Sequence, residues 1–236
     1  MSVELATIAA AARALEQGLL VALPTETVYG LGADAANPTA VAAIYAAKGR
    51  PQDHPLIVHL APDAPLDDWA TAIPDQARQL AAAFWPGPLT MILKRAPEVP
   101  ADVSGGQDTI GLRCPSHPVA IALLQQFKGG RGGIAAPSAN KFGHVSPTTA
   151  AHVHAEFDAD GSLAMVLDGG ASEVGIESTI VDLSRLATHG PVLLRPGHIS
   201  AEAIAAVIDQ LPAAPDQAAP RASGTLESHY APHTPV

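Results

Sequence analysis

The sequence predicts an α/β fold in which a twisted, mixed β-sheet is flanked by helices and has an open cleft at strand ends. Short apolar strands and amphipathic helices are interleaved along the chain, but they do not alternate strictly one to one. Hydrophobic residues make up 47% of the 236 residues, which is enough for a packed core. Polar turns repeatedly follow the predicted strands, where open α/β sheets place their ligands.

The first half of the chain contains three predicted helices separated by short apolar strands. Apolar residues from Leu5 to Leu15 recur at helical spacing, and Gly18 ends that helix. Asn37 followed by Pro38 is a typical helix start, with a capping side chain before a proline in the first turn. The predicted elements are helices over 2–17, 37–48 and 74–84 and strands over 19–23, 55–60, 89–94 and 109–113.

The second half continues this pattern after a glycine-rich loop over 129–133. Ser146 is the predicted cap of the helix that follows it. Thr25 to Thr27 and Tyr29 to Gly32, in the first half, are expected to form polar and glycine-rich turns. The remaining predicted elements are helices over 116–127, 148–157 and 201–211 and strands over 134–136, 164–167, 178–183 and 192–195.

Charge and composition narrow the function classes. The 13 Lys and Arg against 23 Asp and Glu give a net charge of −10, which disfavours a main role in binding a nucleic-acid backbone. The single cysteine, Cys114, excludes a disulfide framework and a cysteine zinc site, and we expect no zinc, haem or flavin. No apolar run approaches the ~20 residues of a membrane span. Acidic Glu4 stands where a signal peptide carries positive charge, so we expect a cytoplasmic protein without a membrane partner.

Several polar side chains are candidates for ligand binding, each with a structural alternative. Lys48 and Arg50 end a helix, where they either complement its dipole or clamp a phosphate. Arg113 lies in a strand that ought to be buried, so it needs either a protein carboxylate or the carboxylate of a ligand. Ser146 either only caps its helix or helps to bind a phosphate at the helix N-terminus. The sequence contains no Walker A loop and no nucleophile elbow.

The motifs form an ordered series. They are PTETVYGLG, KGRPQDHPLIVHL, WPGPLTMIL, TIGLRCPSHP, APSANKFGHVSPT, ESTIVDL and LLRPG. In this order they resemble the signature series of the YrdC-like domain of the L-threonylcarbamoyladenylate synthase family, over about residues 5–210. An ordered series of matches is far more specific than any single motif. The resemblance implies the YrdC-like fold, a twisted mixed sheet flanked by helices.

The resemblance implies a nucleotidyltransferase that condenses L-threonine, bicarbonate or CO2, and ATP to threonylcarbamoyl-AMP and pyrophosphate. Mg2+ is implied as the cofactor that accompanies ATP, held through the phosphates without a direct protein ligand. The product passes to a transferase complex that modifies tRNA, and direct tRNA binding by this chain is expected to be weak. The alternatives are an RNA-binding module and a carbamoyltransferase that forms carbamoyl-AMP, whose relatives carry zinc-finger and acylphosphatase-like parts that this sequence lacks.

The resemblance also assigns roles to individual positions. The implied threonine-binding residues are Thr27, His59, Arg113, Ala136 and Ser178. The implied ATP-binding residues are Arg50, His54, Thr109, Ser138, Ser146, Arg195 and Tyr230. Lys48 and Arg50 are implied to be catalytic, because cations beside the phosphates let a carbamate anion approach the α-phosphate. The motifs contain no evident general base.

The chain is expected to end in a linker that lies outside the core. After Leu211, proline and glycine interrupt PAAPDQAAPRASG, and no periodicity remains. SGTLESHYAPHTPV resembles the linker of the family's long form, which lies over the active site and precedes a second, Rossmann-like domain. We therefore expect a YrdC-like catalytic domain over 1–211 and a linker or lid over 212–236. The second domain is expected to be missing, because the chain was cut there or naturally ends there.

Overall fold

A large mixed β-sheet forms the centre of the molecule. A computed structural model of the chain describes residues 4–159 and 161–224. Within these residues the strands are β1 (Val21–Leu23), β2 (Gly30–Asp34), β3 (Ile57–His59), β4 (Ala70–Thr71), β5 (Leu89–Arg95), β6 (Thr109–Arg113), β7 (Ile134–Ala135), β8 (Met165–Val166), β9 (Thr179–Asp182) and β10 (Val192–Arg195). They lie in the order β10-β9-β5-β6-β3-β7-β2-β1-β8, and β4 pairs with β5. The pairs β3/β6, β5/β9 and β1/β8 are parallel and the others are antiparallel, so the predicted mixed sheet is confirmed.

Helices cover the sheet on both faces. They are α1 (Leu5–Glu16), α2 (Pro38–Lys48), α3 (Asp75–Phe84), α4 (Pro118–Gln126), α5 (Ala150–Phe157), α6 (Leu186–His189) and α7 (Ala201–Ile208). Successive strand residues point to opposite faces. Val58 therefore packs in the larger core with α2, α3, α5 and α7, whereas its neighbour Ile57 faces the other side. On that other side, α1 and α4 cover a second core that contains Val21 and Leu23. None of the helices in the described ranges is both long and apolar enough to span a membrane.

Local signals in the sequence explain most of the element boundaries. Asn37 caps α2, because its Oδ1 accepts hydrogen bonds from the backbone N–H groups of Thr39 and Ala40, at 3.0 and 3.4 Å. Gly49 ends the helix with a φ of +62°, a conformation that glycine adopts without strain. Strands β6 and β10 have the predicted bounds.

Two predictions of local structure were wrong. Ser146 does not cap α5, because the helix begins at Ala150 and Thr149 Oγ1 accepts the N–H of His152 at 3.3 Å. Tyr29 to Gly32, predicted as a turn, instead lead into and form the first part of the fully buried strand β2 (Gly30–Asp34).

Strand β2 was missed because glycine is a weak strand signal. The structure shows why glycine is required there. A Cβ atom on Gly32 would lie 2.9 Å from a side-chain carbon of Leu23 and 3.0 Å from one of Ile134. Close packing between neighbouring side chains, rather than strand propensity, therefore decides the residue at this position.

Residues 212–224, which we call the covering segment, lie against the sheet. Ala213 forms a parallel bridge with Val192 of β10. Its N–H donates to Pro191 O and its carbonyl accepts the N–H of Leu193, both at 2.9 Å. The beginning of the expected linker is therefore attached to the edge of the sheet by backbone hydrogen bonds.

The later part of the covering segment closes a small apolar cluster. Ala219 and Ala222 pack against the cluster. The cluster consists of Ile57, Ile92, Ile180, Val192 and Leu194. The expectation that this stretch lies outside the core was therefore wrong, because the segment covers apolar side chains of the sheet. The HYAP sequence, including Tyr230, lies outside the described residues.

Candidate active site

A cavity, which we call the inner cavity, lies beneath the covering segment. It is lined by Thr25, Thr27, Val28, Gly30, Ile57, His59, Arg113, Ala136, Pro137, Ser138, Glu177, Ser178 and Ser223. Every residue that the sequence analysis assigned to threonine lines this cavity. His59 and Arg113 end the parallel strands β3 and β6, whereas Ser178 directly precedes β9. Because the sheet is mixed, residues at the carboxyl ends of some strands and at the amino ends of others line this cavity.

Arg113 is fixed in the cavity wall by contacts to three residues. Its Nε donates to Gly87 O at 3.3 Å, its Nη1 to Thr27 Oγ1 at 2.9 Å and its Nη2 to Glu26 Oε1 at 2.7 Å. The sequence left open whether this buried guanidinium pairs with a protein carboxylate or with a ligand, and the structure shows a protein carboxylate. A guanidinium has five N–H groups, so hydrogen-bonding capacity remains on both Nη atoms for a further acceptor.

Glu26 is the buried partner of Arg113, and the sequence analysis gave it no role. Its side chain is 6% exposed and that of Arg113 is 4% exposed. The second carboxylate oxygen of Glu26 accepts the backbone N–H of Ser116 at 3.1 Å. The pair meets the condition for burying two charges, since each charge has its counterpart and further hydrogen bonds. The sequence indicated only that a buried Arg113 needs an anionic partner, and it did not indicate that Glu26 is that partner.

His59 contributes a neutral imidazole to the inner cavity. Burial, followed by the charge of Arg113, lowers the pKa of His59 to about 3. Its Nδ1 is buried and has no hydrogen-bond partner in the described part of the chain. A neutral imidazole offers one donor and one acceptor. It can therefore hydrogen-bond a polar ligand without adding charge to the cavity.

A second cavity, which we call the outer cavity, adjoins the inner one. It is lined by Val28, Val145, Ser146, Gly175, Ile176, Glu177, Arg195, Pro196 and Gly224. Ser146 and Arg195, both predicted to bind ATP, face this space. Val145 and Ile176 are exposed apolar side chains on its wall. Apolar walls with a few convergent polar groups are typical of small-ligand sites.

Arg195 connects the two cavities to the covering segment. Its Nε donates to Ser178 O at 3.0 Å, and its Nη2 donates to Ser178 Oγ, also at 3.0 Å. Its Nη1 donates to Ser223 O at 2.7 Å. Arg195 and Ser178 were predicted to bind different substrates, ATP and threonine. Their direct contact brings the two predicted sites to one boundary.

Lys48, predicted to be catalytic, is buried at the C-terminal end of α2. Its Nζ donates to the carbonyl oxygens of Ser138, at 2.6 Å, and of Asn140. Burial, followed by the charge of Arg50, lowers the pKa of Lys48 to about 7. Lys48 therefore holds the loop that carries Ser138, a contact that the sequence did not predict.

Two other predicted ATP residues, Arg50 and Thr109, lie near Ser223 of the covering segment. Arg50 Nη2 donates to Ser223 Oγ at 3.4 Å, and burial lowers the pKa of Arg50. Thr109 and Ser223 line a narrow space under the segment. His54 is half-buried, and desolvation lowers its pKa. The role of Tyr230 stays a prediction, since that residue lies outside the described part of the chain.

Two family models match the sequence along its length. The model described as "Telomere recombination", which groups Sua5, YciO and YrdC proteins, matches residues 13–197. The chain belongs to this Sua5/YciO/YrdC family. A second model, described as the C-terminal domain of threonylcarbamoyl-AMP synthase, matches residues 199–236. The cavity-lining residues from Thr25 to Pro196 fall within the first match.

Relatives within the Sua5/YciO/YrdC family include named synthases. The threonylcarbamoyl-AMP synthase of Pyrococcus abyssi is 44% identical over 233 residues, which cover 96% of this chain and 66% of that protein. The synthase of Bacillus subtilis is 45% identical, and the match covers 65% of that protein. A putative threonylcarbamoyl-AMP synthase of Mycobacterium tuberculosis is 41% identical over 201 residues, which cover 85% of this chain and 88% of that protein. The chain thus spans about two thirds of the length of the first two relatives.

Solved structures of the Sua5/YciO/YrdC family share the fold. The crystal structure of P. abyssi Sua5 complexed with L-threonine superposes with a TM-score of 0.90 at 42% identity, covering 98% of this chain and 67% of that chain. Escherichia coli YciO superposes with a TM-score of 0.73 at 22% identity, covering 86% of this chain and 95% of that chain. The predicted fold is confirmed by both.

Proposed function

We propose that this chain carries L-threonylcarbamoyladenylate synthase activity, condensing L-threonine, bicarbonate or CO2, and ATP to threonylcarbamoyl-AMP and pyrophosphate. The observation that carries the proposal is the inner cavity, where a fixed arginine, a neutral imidazole and hydroxyl groups face one small space. The relatives named as threonylcarbamoyl-AMP synthases or putative synthases, at 41–45% identity, support the same reaction.

The inner cavity has the groups that threonine requires. The remaining N–H groups of Arg113 suit the substrate carboxylate, and Glu26 keeps the guanidinium oriented. His59 and Ser178 suit the amine and hydroxyl groups, since neither adds charge. Ala136 is one of the apolar residues in the wall that suit the methyl group.

The outer cavity and Arg50 would hold ATP. Ser146 and Arg195 suit phosphate oxygens, and the apolar wall at Val145 and Ile176 suits the flat base. Arg50 and Arg195 both contact Ser223, so they lie close enough together to bind one triphosphate. In this proposal the α-phosphate of ATP would lie near the boundary of the two cavities.

The reaction needs positioning and charge neutralisation more than covalent catalysis. The nitrogen of the neutral threonine amine forms a bond to the carbon of CO2 and releases a proton, which gives a carbamate. A carbamate oxygen then forms a bond to the α-phosphorus while the bond to pyrophosphate breaks. Two anions approach each other in that step, so the fixed cations Arg50 and Arg195 would lower its barrier. Lys48 would act by holding the loop of Ser138 in place.

Mg2+ is the cofactor that we propose to accompany ATP. The described residues contain no group of three or more His, Cys, Asp or Glu that could hold a metal ion. Glu177 does lie beside Ser146 and Arg195, and one carboxylate together with substrate phosphates is a usual ligand set for Mg2+. These residues therefore fit the ion, which when bound would neutralise charge on the phosphates.

The wider role follows from the product. A mixed anhydride of a carbamate with AMP is an activated acyl donor, so a transferase complex acting on tRNA would consume it. A cytoplasmic location also stays part of the proposal. The carbamoyltransferase alternative is less favoured, because the relatives at 41–45% identity are named as threonylcarbamoyl-AMP synthases or putative synthases. An RNA-binding role is less favoured because the net charge of −10 disfavours contact with a nucleic-acid backbone.

Pyrophosphate release from ATP tests the proposal. Release in the presence of Mg2+ should require both L-threonine and bicarbonate, and mass spectrometry should detect threonylcarbamoyl-AMP. Carbamoyl phosphate in place of threonine and bicarbonate should give no release. Release with carbamoyl phosphate alone, or none under any condition from a folded chain that binds ATP, would contradict the proposed activity.

A further inference from the structure

Glu177 lies on the boundary between the inner and outer cavities. Only two residues, Val28 and Glu177, line both spaces in the described part of the chain. Among the described residues that line either cavity, Glu177 alone carries a carboxylate. It lies in the loop directly before Ser178, which in turn precedes strand β9. An acidic group at this boundary would stand next to any ligand that reaches from one cavity into the other.

The carboxylate of Glu177 already contacts groups that are proposed to bind phosphate. Ser146 Oγ donates to its Oε1 at 2.8 Å, and Arg195 Nη2 lies 3.5 Å from its Oε2. Its charge also acts on Lys48 and Arg50, where it opposes the lowering of both pKa values by burial. The charge of Glu177 therefore acts on three basic side chains, those of Arg195, Lys48 and Arg50.

A free triphosphate at these positions would meet a carboxylate of the same sign. The repulsion between these two anions disfavours binding of the free triphosphate. A hard divalent cation would relieve it, since such an ion takes oxygen ligands from a carboxylate and from phosphates at once. A carboxylate in this position would therefore favour a nucleotide that arrives with its cation over a free nucleotide.

We propose that Glu177 makes nucleotide binding depend on a divalent cation, by repelling the free triphosphate and by supplying a carboxylate oxygen to the Mg2+ bound with ATP. This inference rests on the proposed function, because it assumes that ATP binds at Arg50, Ser146 and Arg195. It departs from the expectation drawn from the sequence, in which Mg2+ has no direct protein ligand. It assigns to Glu177 a role in selecting the charge state of the nucleotide.

Binding measurements without turnover test the inference. Isothermal titration calorimetry gives the dissociation constant of ATP, without threonine, once in excess Mg2+ and once in EDTA. The ratio of the EDTA value to the Mg2+ value is compared for the wild type, Glu177→Gln and Glu173→Gln. Glu173 is the matched control, because it is exposed on the same loop and its variant loses the same charge.

We expect Glu177→Gln to lower this ratio by about tenfold or more. The repulsion between two like charges a few ångströms apart in a partly buried site is large enough to change a dissociation constant by that factor. Metal-free ATP should bind more tightly to the variant and Mg2+-ATP more weakly. Glu173→Gln should leave the ratio unchanged. Glu177→Asp, which keeps the charge, should retain most of the wild-type ratio.

A direct measurement with Mn2+ as the probe separates the two parts of the effect. Electron paramagnetic resonance should show Mn2+ held more tightly by the wild-type ATP complex than by the Glu177→Gln complex. Equal ratios and equal Mn2+ affinities in the wild type and Glu177→Gln would overturn the inference while leaving ATP binding, and thus the proposed function, intact. Absence of ATP binding to the folded wild type under every condition would overturn both.

Discussion

The buried pair of Glu26 and Arg113 gives a sharp test of how the inner cavity is built. Glu26→Ala leaves the Arg113 guanidinium buried without its anion and the Ser116 N–H without its acceptor. Removing one partner of a buried ion pair costs about 3–5 kcal/mol. Ser116 is half-buried, so water can replace its lost acceptor and the additional cost is small. We therefore expect the free energy of unfolding to fall by about 3–5 kcal/mol, a large share of the usual total of about 5–15 kcal/mol.

The exposed pair of Asp67 and Arg78 is the matched control. Its Nη2 and Oδ1 atoms lie 3.2 Å apart, but the two side chains are 51% (Arg78) and 69% (Asp67) exposed. Asp67→Ala should cost less than about 1 kcal/mol, because water and salt screen such a pair. Urea unfolding followed by circular dichroism measures both variants under one set of conditions. The reasoning is refuted if Glu26→Ala costs no more than Asp67→Ala.

The conservative variant Glu26→Gln connects this stability argument to function. Its amide oxygen can still accept from Arg113 Nη2, but the negative charge is lost. We expect the variant to fold and the KM for threonine to rise by about tenfold or more, since charge-assisted hydrogen bonds are worth about 1.5–3 kcal/mol. The KM for ATP should change little, and equal changes in both constants would count against an orienting role for Glu26.

Three further predictions concern other parts of the molecule. Arg113→Ala should raise the KM for threonine by about tenfold to a hundredfold and that for ATP far less, because it removes the partner of the substrate carboxylate; initial-rate kinetics would contradict this assignment by showing equal losses. Lys48 has a pKa that falls from 10.5 to about 7 on folding. Between these two pH values the unfolded chain binds more protons than the folded chain. The free energy of unfolding of the wild type should therefore rise with pH, relative to that of Lys48→Met, by up to about 1.4 kcal/mol per pH unit. If urea unfolding gives the same pH dependence for both proteins, the burial argument is refuted. Ending the chain at Leu211 should uncover Ile57 and Ile92 and lower Tm by several degrees relative to a chain ending at Gly224, whereas equal Tm values in calorimetry would show that the covering segment does not stabilise the fold.

The residues that the sequence assigned to threonine share the inner cavity because neighbouring strands place them there. His59 and Arg113 each follow an apolar run whose strand character is readable, and the parallel register of β3 and β6 sets them side by side. Ala136 and Ser178 likewise lie at the ends of predicted strands. Their ligands remain predictions. Glu177 had no assigned role, because a carboxylate directly before a strand has no pattern that distinguishes a ligand from a solvated side chain.

The sequence by itself determined the elements whose causes are local. Asn37 caps α2, and the bounds of β6 and β10 follow from apolar runs that end at charged residues. The order of the motifs was also sufficient to identify the family. Capping and strand patterns depend on residues a few positions apart, and motif order follows the linear sequence, so all three can be read without knowing where the chain turns.

Only the tertiary structure decided the features that join distant parts of the chain. Glu26 is the partner of Arg113 across 87 positions of sequence, and Arg195 holds the carbonyl of Ser223 in the covering segment. Strand β2 exists because Gly32 fits between side chains of two neighbouring strands, although its own propensity disfavours a strand. Such contacts are required in the buried parts of the protein, because a charge or a polar group that is removed from water needs a hydrogen-bonding or charged partner nearby in the fold. Which partner that is depends on packing between elements, and no local pattern in the sequence records it.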